Sequence, residues 1–113
     1  MDTLKIDYVE LGSAAIAQSM RFFTEAFGWS FVDYGPKYQA LADAGIDGGI
    51  DGSEEKSGAP PLIILKARDL EAAQARVSAA GGQITRPIFA FPGGRRFHFR
   101  EPGGNEMAVW SER

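Results

Sequence analysis

Residues 62–82 read LIILKARDLEAAQARVSAAGG, and the order of residue types in them decides the fold. Leu62 to Ala67 is a short apolar run of strand length. Asp69 stands where a side-chain oxygen can cap a helix, and Leu70, Ala73, Val77 and Ala80 follow at alternating steps of three and four residues. Gly81-Gly82 closes the helix. The same order occurs nearer the amino terminus. Leu4 to Leu11 reads as a strand and Ser13 as a helix N-cap, with Ile16, Met20, Phe23 and Phe27 as the apolar stripe and Gly28 as the stop. Strand starts, caps and terminal glycines in the two stretches lie 58, 56 and 54 residues apart, so the chain is built on an internal repeat.

Three strands are expected after each helix. In the first half they are Trp29 to Tyr34, turning at Gly35-Pro36, then Tyr38 to Ala42 and Gly49 to Ile50. In the second half they are Gln83 to Arg86, Arg95 to Arg100 and Glu106 to Trp110, joined through Phe91-Pro92-Gly93-Gly94 and Pro102-Gly103-Gly104-Asn105. Between the halves, Gly52 to Pro61 (GSEEKSGAPP) is polar and rich in Gly, Ser and Pro, the composition of a linker or exposed loop. The expectation is an α+β protein of two tandem βαβββ modules, residues 1–52 and 62–113, with residues 53–61 as linker. A unit of that size cannot cover both sides of its sheet alone, so the two should pair into one domain spanning residues 1–113.

Composition narrows the chemistry. The 113 residues are 44% hydrophobic, enough to fill a core without disulfides or a structural metal. There is no cysteine, which excludes thiolate-held zinc, iron–sulfur clusters and cysteine nucleophiles. The single histidine, His98, excludes a site with two or more histidines from one chain. Twelve basic residues stand against fifteen acidic ones, a net charge of −3 with no basic stripe, and nucleic acid is not an expected partner. No apolar run reaches membrane-spanning or signal-peptide length, so no membrane association is expected and the chain reads as cytoplasmic.

The text SMRFFTEAFGW at residues 19–29, GGI at 48–50 and FREPGGNEMAVW at 99–110, set on two βαβββ units, resembles the vicinal oxygen chelate superfamily. That superfamily comprises glyoxalase I, bleomycin- and fosfomycin-resistance proteins and extradiol dioxygenases. Its closing motif is usually D-P-x-G-N, and Glu101 stands here in place of the Asp. The resemblance implies a cup-shaped sheet, usually completed in a homodimer, with a divalent metal at its base. It does not imply one reaction, because the fold hosts isomerases, transferases, dioxygenases and plain binding proteins. Of the four ligand positions it implies, three fall on Tyr8, Leu62 and Ala108, and the fourth lies around Tyr38 to Ala42 without a definite residue. Leu62 and Ala108 have no donor atom and a neutral tyrosine is a poor ligand, so neither the usual metal site nor any other cofactor is expected.

Two residues are then candidates for catalysis. Glu10 shares a strand face with Tyr8, the face the resemblance turns into the cup, where a carboxylate is a candidate general base or acid. The alternative is a half-exposed strand residue bridging to an arginine. His98 is the second: alternation over Arg95 to Arg100 puts Phe97 and Phe99 on the core face and Arg96, His98 and Arg100 on the other. Its alternative is a hydrogen-bonded strand histidine. Arg96 suits an anionic group, Arg100 reads as a solvated charge, and Tyr8, Tyr38 and Trp110 suit an aromatic wall for a planar ligand. Trp110 reads equally as packing at a core or dimer interface. The G-I-D-G repeat over Gly45 to Gly52 lacks the context of a phosphate loop or calcium site and reads as turn, strand, turn.

The function expected is therefore binding of a small organic molecule by a homodimer, with Glu10 and His98 sharing proton transfer if the protein is an enzyme of the lyase or isomerase kind. A competing class is a non-catalytic protein that sequesters a drug or metabolite. A third is a metal-dependent lyase or dioxygenase that holds its metal at other positions, through Glu10, His98 and residues of a partner chain.

Overall fold

The structure is a computed structural model that describes residues 2–113. It holds eight strands and two α-helices among the described residues, an α+β chain in two compact units. One unit spans Tyr8–Leu62. The other comprises Ile63–Arg113 together with the amino-terminal residues through Asp7.

The first unit contains β1 (Lys5–Gly12) from Tyr8 onward, α1 (Ile16–Phe27), β2 (Ser30–Asp33), β3 (Tyr38–Ala42) and β4 (Gly48–Asp51). Its strands lie in the order β2-β3-β4-β1, with β3 antiparallel to both neighbours and β1 parallel to β4. Gly28 ends α1 as expected: in the left-handed region at φ 78°, it donates its N–H to the Thr24 carbonyl at 2.9 Å. Ser13 departs from expectation. The helix starts three residues beyond it, and its hydroxyl accepts the Ala15 N–H at 3.0 Å and bonds the Ser19 hydroxyl at 2.6 Å, so it closes a turn ahead of the helix. β2 is also shorter than expected. Trp29 stays with the helix, its ring stacked on Phe23 at 4.8 Å and its carbonyl accepting the Thr24 hydroxyl at 2.8 Å.

The second unit contains β5 (Leu62–Lys66, with Leu62 at the boundary), α2 (Leu70–Ala79), β6 (Gln83–Phe91), β7 (Gly94–Arg100) and β8 (Glu106–Ser111). The order β5-β8-β7-β6 and its strand directions repeat those of the first unit. Asp69 caps α2, its carboxylate accepting the Ala72 N–H at 3.0 Å. Leu70 and Ala73 of the helix are buried with Ala67, Phe97, Phe99 and Val109, and Leu65, Val77, Ile84 and Met107 pack around them. Phe97 and Phe99 thus occupy the core face that alternation assigned them. β6 runs five residues past the expected Arg86, through Pro87 to Phe91. Register shifts between Ile84 and Arg86 and between Arg86 and Phe89 let the ladder pass the proline, which has no N–H to donate.

The closing turn shows why glutamate can replace the more usual aspartate. The Glu101 carboxylate accepts the backbone N–H of Gly103 at 2.7 Å and of Asn105 at 3.1 Å, closing the P-G-G-N loop on itself. These bonds hold its carboxyl below the ordinary range.

Candidate functional site

In the first unit, β1 and β3 flank β4, and the pairing Glu10↔Gly49 sets the site's register. Tyr8 and Glu10 project from one face of β1, and Tyr38 reaches them from β3. The Tyr8 and Tyr38 hydroxyls are hydrogen-bonded to each other, and the Tyr38 hydroxyl donates to Glu10 Oε2 at 3.2 Å. Glu10 is 5% exposed. Burial is the largest influence on Tyr38, followed by the bond to Tyr8 and the Glu10 charge, and together they push its phenol far above the ordinary value.

The glycines of the G-G-I stretch create the space for this group. A Cβ on Gly49 would lie 2.1 Å from the Tyr38 hydroxyl oxygen, and one on Gly48 would lie 2.4 Å from the Val9 carbonyl oxygen. Only a residue without a side chain lets Tyr38 lie across the strand toward Glu10. The stretch is turn, strand, turn, as its composition suggested.

The segment after β4 is mostly exposed loop. It carries a short 3-10 turn, Glu54–Lys56, whose last residue folds back on β1. The Lys56 carbonyl sits where a Cβ on Gly12 would be 1.9 Å away, and its ammonium lies 3.7 Å from Glu10 Oε1. Lys56 is a charged partner of Glu10, and sequence reasoning missed it because the surrounding composition is that of a loop.

The second unit gathers the remaining candidates on the face of β7 and β8 opposite its core. His98 packs against Phe89, ring centroids 5.7 Å apart, and is 5% exposed. The Arg86 and Arg96 guanidiniums lie 3.8 and 5.5 Å from the Phe89 centroid, and Arg96 lies 5.6 Å from that of Phe91. Trp110 packs on Phe91 at 6.2 Å, donates its indole N–H to Asp7 at 3.1 Å, and carries the Lys66 ammonium 4.9 Å from its ring centroid. Arg100 is exposed. Phe89, Phe91 and Arg86 were not singled out because the strand that presents them continues through a proline. An open groove of about 740 Å³ in this unit, lined by Lys5, Asp7, Lys66, Arg68 and Glu112 among others, contains none of the residues of the Glu10 cluster.

The metal implied by the resemblance does not fit these residues. Leu62 is 5% exposed, Ala108 is fully buried, and neither has a donor atom. Tyr8 has its hydroxyl engaged by Tyr38. Among the described residues, no group of three or more His, Cys, Asp or Glu side chains gathers where it could hold a metal ion.

Two repeated βαβββ units with a polar group on a strand face of one and an aromatic, cationic face on the other define a protein of the glyoxalase class. The chain belongs to the Glyoxalase/Bleomycin resistance protein/Dioxygenase superfamily, whose family model matches residues 5–109. No curated protein matches the sequence. Among solved structures it is similar to a superfamily member from Vibrio splendidus 12B01, with 20% identity, 96% of this chain and 99% of that one covered, and a TM-score of 0.72. It is also similar to methylmalonyl-CoA epimerase from Mycobacterium tuberculosis, with 15% identity, 94% and 86% covered, and a TM-score of 0.69. A third is the Mn(II)-bound glyoxalase from Novosphingobium aromaticivorans, with 23% identity and a TM-score of 0.67; 96% of this chain matches 38% of that one. At these identities the likeness shows the fold alone. No helix among the described residues is long and apolar enough to cross a membrane.

Proposed function

We propose that this protein binds a small organic ligand at the Tyr8–Tyr38–Glu10 group, with Glu10 as proton acceptor and the two tyrosines orienting the ligand. The observation that carries this reading is a carboxylate 5% exposed that accepts a hydrogen bond from Tyr38, whose hydroxyl is bonded in turn to that of Tyr8. A buried carboxylate is expensive unless it is partnered, and here the hydroxyls of two half-buried tyrosines from two strands gather beside it. The face of the second unit that carries His98, Arg96, Phe89, Phe91 and Trp110 suits a planar or anionic group through stacking and guanidinium contacts. His98 is the second candidate for proton transfer. The reading takes the working form to be a cytoplasmic homodimer and uses no metal.

Sequestration without turnover is the second reading, supported by the share of aromatic surface on the face that carries Trp110. A ligand-observed NMR screen of phenols, aryl carboxylates and dicarbonyl compounds separates the two. Proton-transfer chemistry at Glu10 predicts binding that Glu10→Gln weakens and, for a carbon acid, exchange of its proton with deuterated solvent. Sequestration predicts the same affinity in Glu10→Gln and no exchange. A screen in which nothing binds, or in which every bound compound leaves the Tyr8 and Tyr38 resonances unmoved, overturns the site.

A further inference from the structure

A second place for a ligand lies apart from the Glu10 group, at the ends of two parallel strands. β5 and β8 run side by side with Lys66 opposite Trp110, so the residues that follow them emerge together, and the amino-terminal residues through Asp7 close the third side. The result is the open groove of about 740 Å³ in the second unit. Its lining includes Ala67 and Ser111, 6% and 2% exposed. The Ser111 hydroxyl accepts the Arg113 N–H at 3.2 Å and donates to the Arg68 carbonyl at 3.4 Å, tying the chain after β5 to the chain after β8. Arg68 stands between Ala67, whose N–H donates to the Trp110 carbonyl at 2.8 Å, and Asp69, the cap of α2, so its backbone is held on both sides.

The charges along the groove are used unevenly. Glu112 is salt-bridged to Lys66, and Asp7 accepts the Trp110 indole N–H at 3.1 Å. The hydrogen bond to Glu112, with the charges of Glu112 and Asp7, holds the Lys66 ammonium above the ordinary lysine range. Both carboxylates are therefore engaged within the groove's own wall. Asp2 and Arg113 are exposed and opposite in charge. The Lys5 ammonium and the Arg68 guanidinium also belong to the lining, and among the described residues no carboxylate pairs with either. Two cations are thus left to face the groove on a chain whose net charge is −3.

We propose that this groove is a second ligand site, independent of the Glu10 group, that takes the phosphate of a small organic phosphomonoester with Arg68 and Lys5 as its anchors. A guanidinium fork matches two phosphate oxygens, and an ammonium supplies a point charge for the third. Above neutral pH a phosphomonoester carries a charge of about −2, which the two cations balance, whereas a carboxylate is satisfied by the guanidinium alone. The size of the groove suits a molecule larger than a bare ion. Ala67 and Ser111 are small, so the organic part can lie along them without meeting a bulky side chain.

The test titrates the isotope-labelled full chain with phenyl phosphate, benzoate and benzyl alcohol in mildly alkaline buffer, following backbone amide resonances by NMR. Phenyl phosphate is expected to move the amides of Lys5, Ala67, Arg68 and Ser111 and to leave those of Gly48 and Gly49 in place. It should bind at least about tenfold more tightly than benzoate, and benzyl alcohol should give no saturable shift. Arg68→Gln should weaken phenyl phosphate by about tenfold or more and Lys5→Gln by about threefold, while Arg68→Lys, which keeps the charge without the fork, recovers part of the loss. Lys37→Gln removes an exposed lysine outside the groove and should change the affinity by less than about twofold. Glu112→Gln removes a lining carboxylate and releases Lys66, so it should tighten phenyl phosphate by about threefold. Thermal melts confirm that each variant is folded. Equal binding of benzoate and phenyl phosphate, full affinity in Arg68→Gln, weaker binding in Glu112→Gln, shifts centred outside the groove, or no saturable shift at all overturns the proposal.

Discussion

The two helices occupy equivalent places in the repeat and are used differently. In α2, Leu70 and Ala73 are 1% and 2% exposed, buried with Phe97, Phe99 and Val109 in a closed core. In α1 no residue is fully buried, although its apolar stripe is the stronger of the two in the sequence, and Phe22 and Phe27 are 58% and 60% exposed. The sheets differ in the same sense. The second unit carries eight of the eleven buried apolar residues, and the first has Leu41, Ile50 and the boundary residue Leu62 beside the buried polar residues Glu10 and Gln39. An apolar periodicity thus identifies a helix without fixing how much of its face is covered. Among the described residues the buried apolar core is larger in the second repeat, while both repeats bury polar residues: Glu10, Ser13 and Gln39 in the first, His98 and Ser111 in the second.

The largest expected effect tests that division directly. Phe97→Ala removes a ring with no exposure from the second core and should cost about 3–5 kcal/mol of unfolding free energy. Phe27→Ala, the same truncation on the exposed face of α1, should change it by less than about 0.5 kcal/mol. Urea denaturation of the two variants side by side measures both. Equal losses would break the comparison and mean that the exposed face of α1 is packed in solution.

The next effect is in the first unit. Gly49→Ala brings a methyl group to 2.1 Å from the Tyr38 hydroxyl oxygen, so the ring must move off the strand at a cost of about 1–3 kcal/mol. A displaced Tyr38 also loses the burial and the hydrogen bonds that raise its ionisation. With the folded value raised above the unfolded one, near 10, the phenol contributes stability fully at lower pH and loses it as pH rises beyond that point. Wild-type stability should therefore decline on the alkaline side, and the decline should be shallower in Gly49→Ala. Spectrophotometric titration should show the Tyr38 phenol ionising well above the ordinary tyrosine range in the wild-type protein and moving back toward it in the variant.

Much of the fold was legible because its signals are local. Periodicity and a following Gly marked both helices, an Asp before it marked α2, and the spacing between the copies exposed the repeat. Alternation also assigned the two faces of β7, since Phe97 and Phe99 enter the core. Strand alternation put Tyr8 and Glu10 together, and Tyr38 joins them because β3 and β4 pair as a hairpin across the glycine stretch. What was not legible depends on chain reversals. Lys56 lies in a segment whose composition says only that it is a loop, and the decisive fact, its carbonyl seated over Gly12, involves residues 44 positions apart. The extension of β6 was hidden by Pro87, which ends most strands and here sits at a register shift.

The smallest expected effect returns to the helices at their first turns. Asp69 accepts the Ala72 N–H and so satisfies one of the donors that a helix start leaves open, and Asp69→Ala should cost about 1 kcal/mol. Ser13 looked like its counterpart but caps nothing in α1. Its hydroxyl holds the Ala15 N–H and Ser19 in the turn before the helix. Ser13→Ala should therefore leave amide exchange through the first turn of α1 unchanged, with protection lost only at Ala15. Asp69→Ala should speed exchange over the first turn of α2. If Ser13→Ala frays α1 as Asp69→Ala frays α2, the two helices start alike in solution, and their difference is confined to the faces they bury.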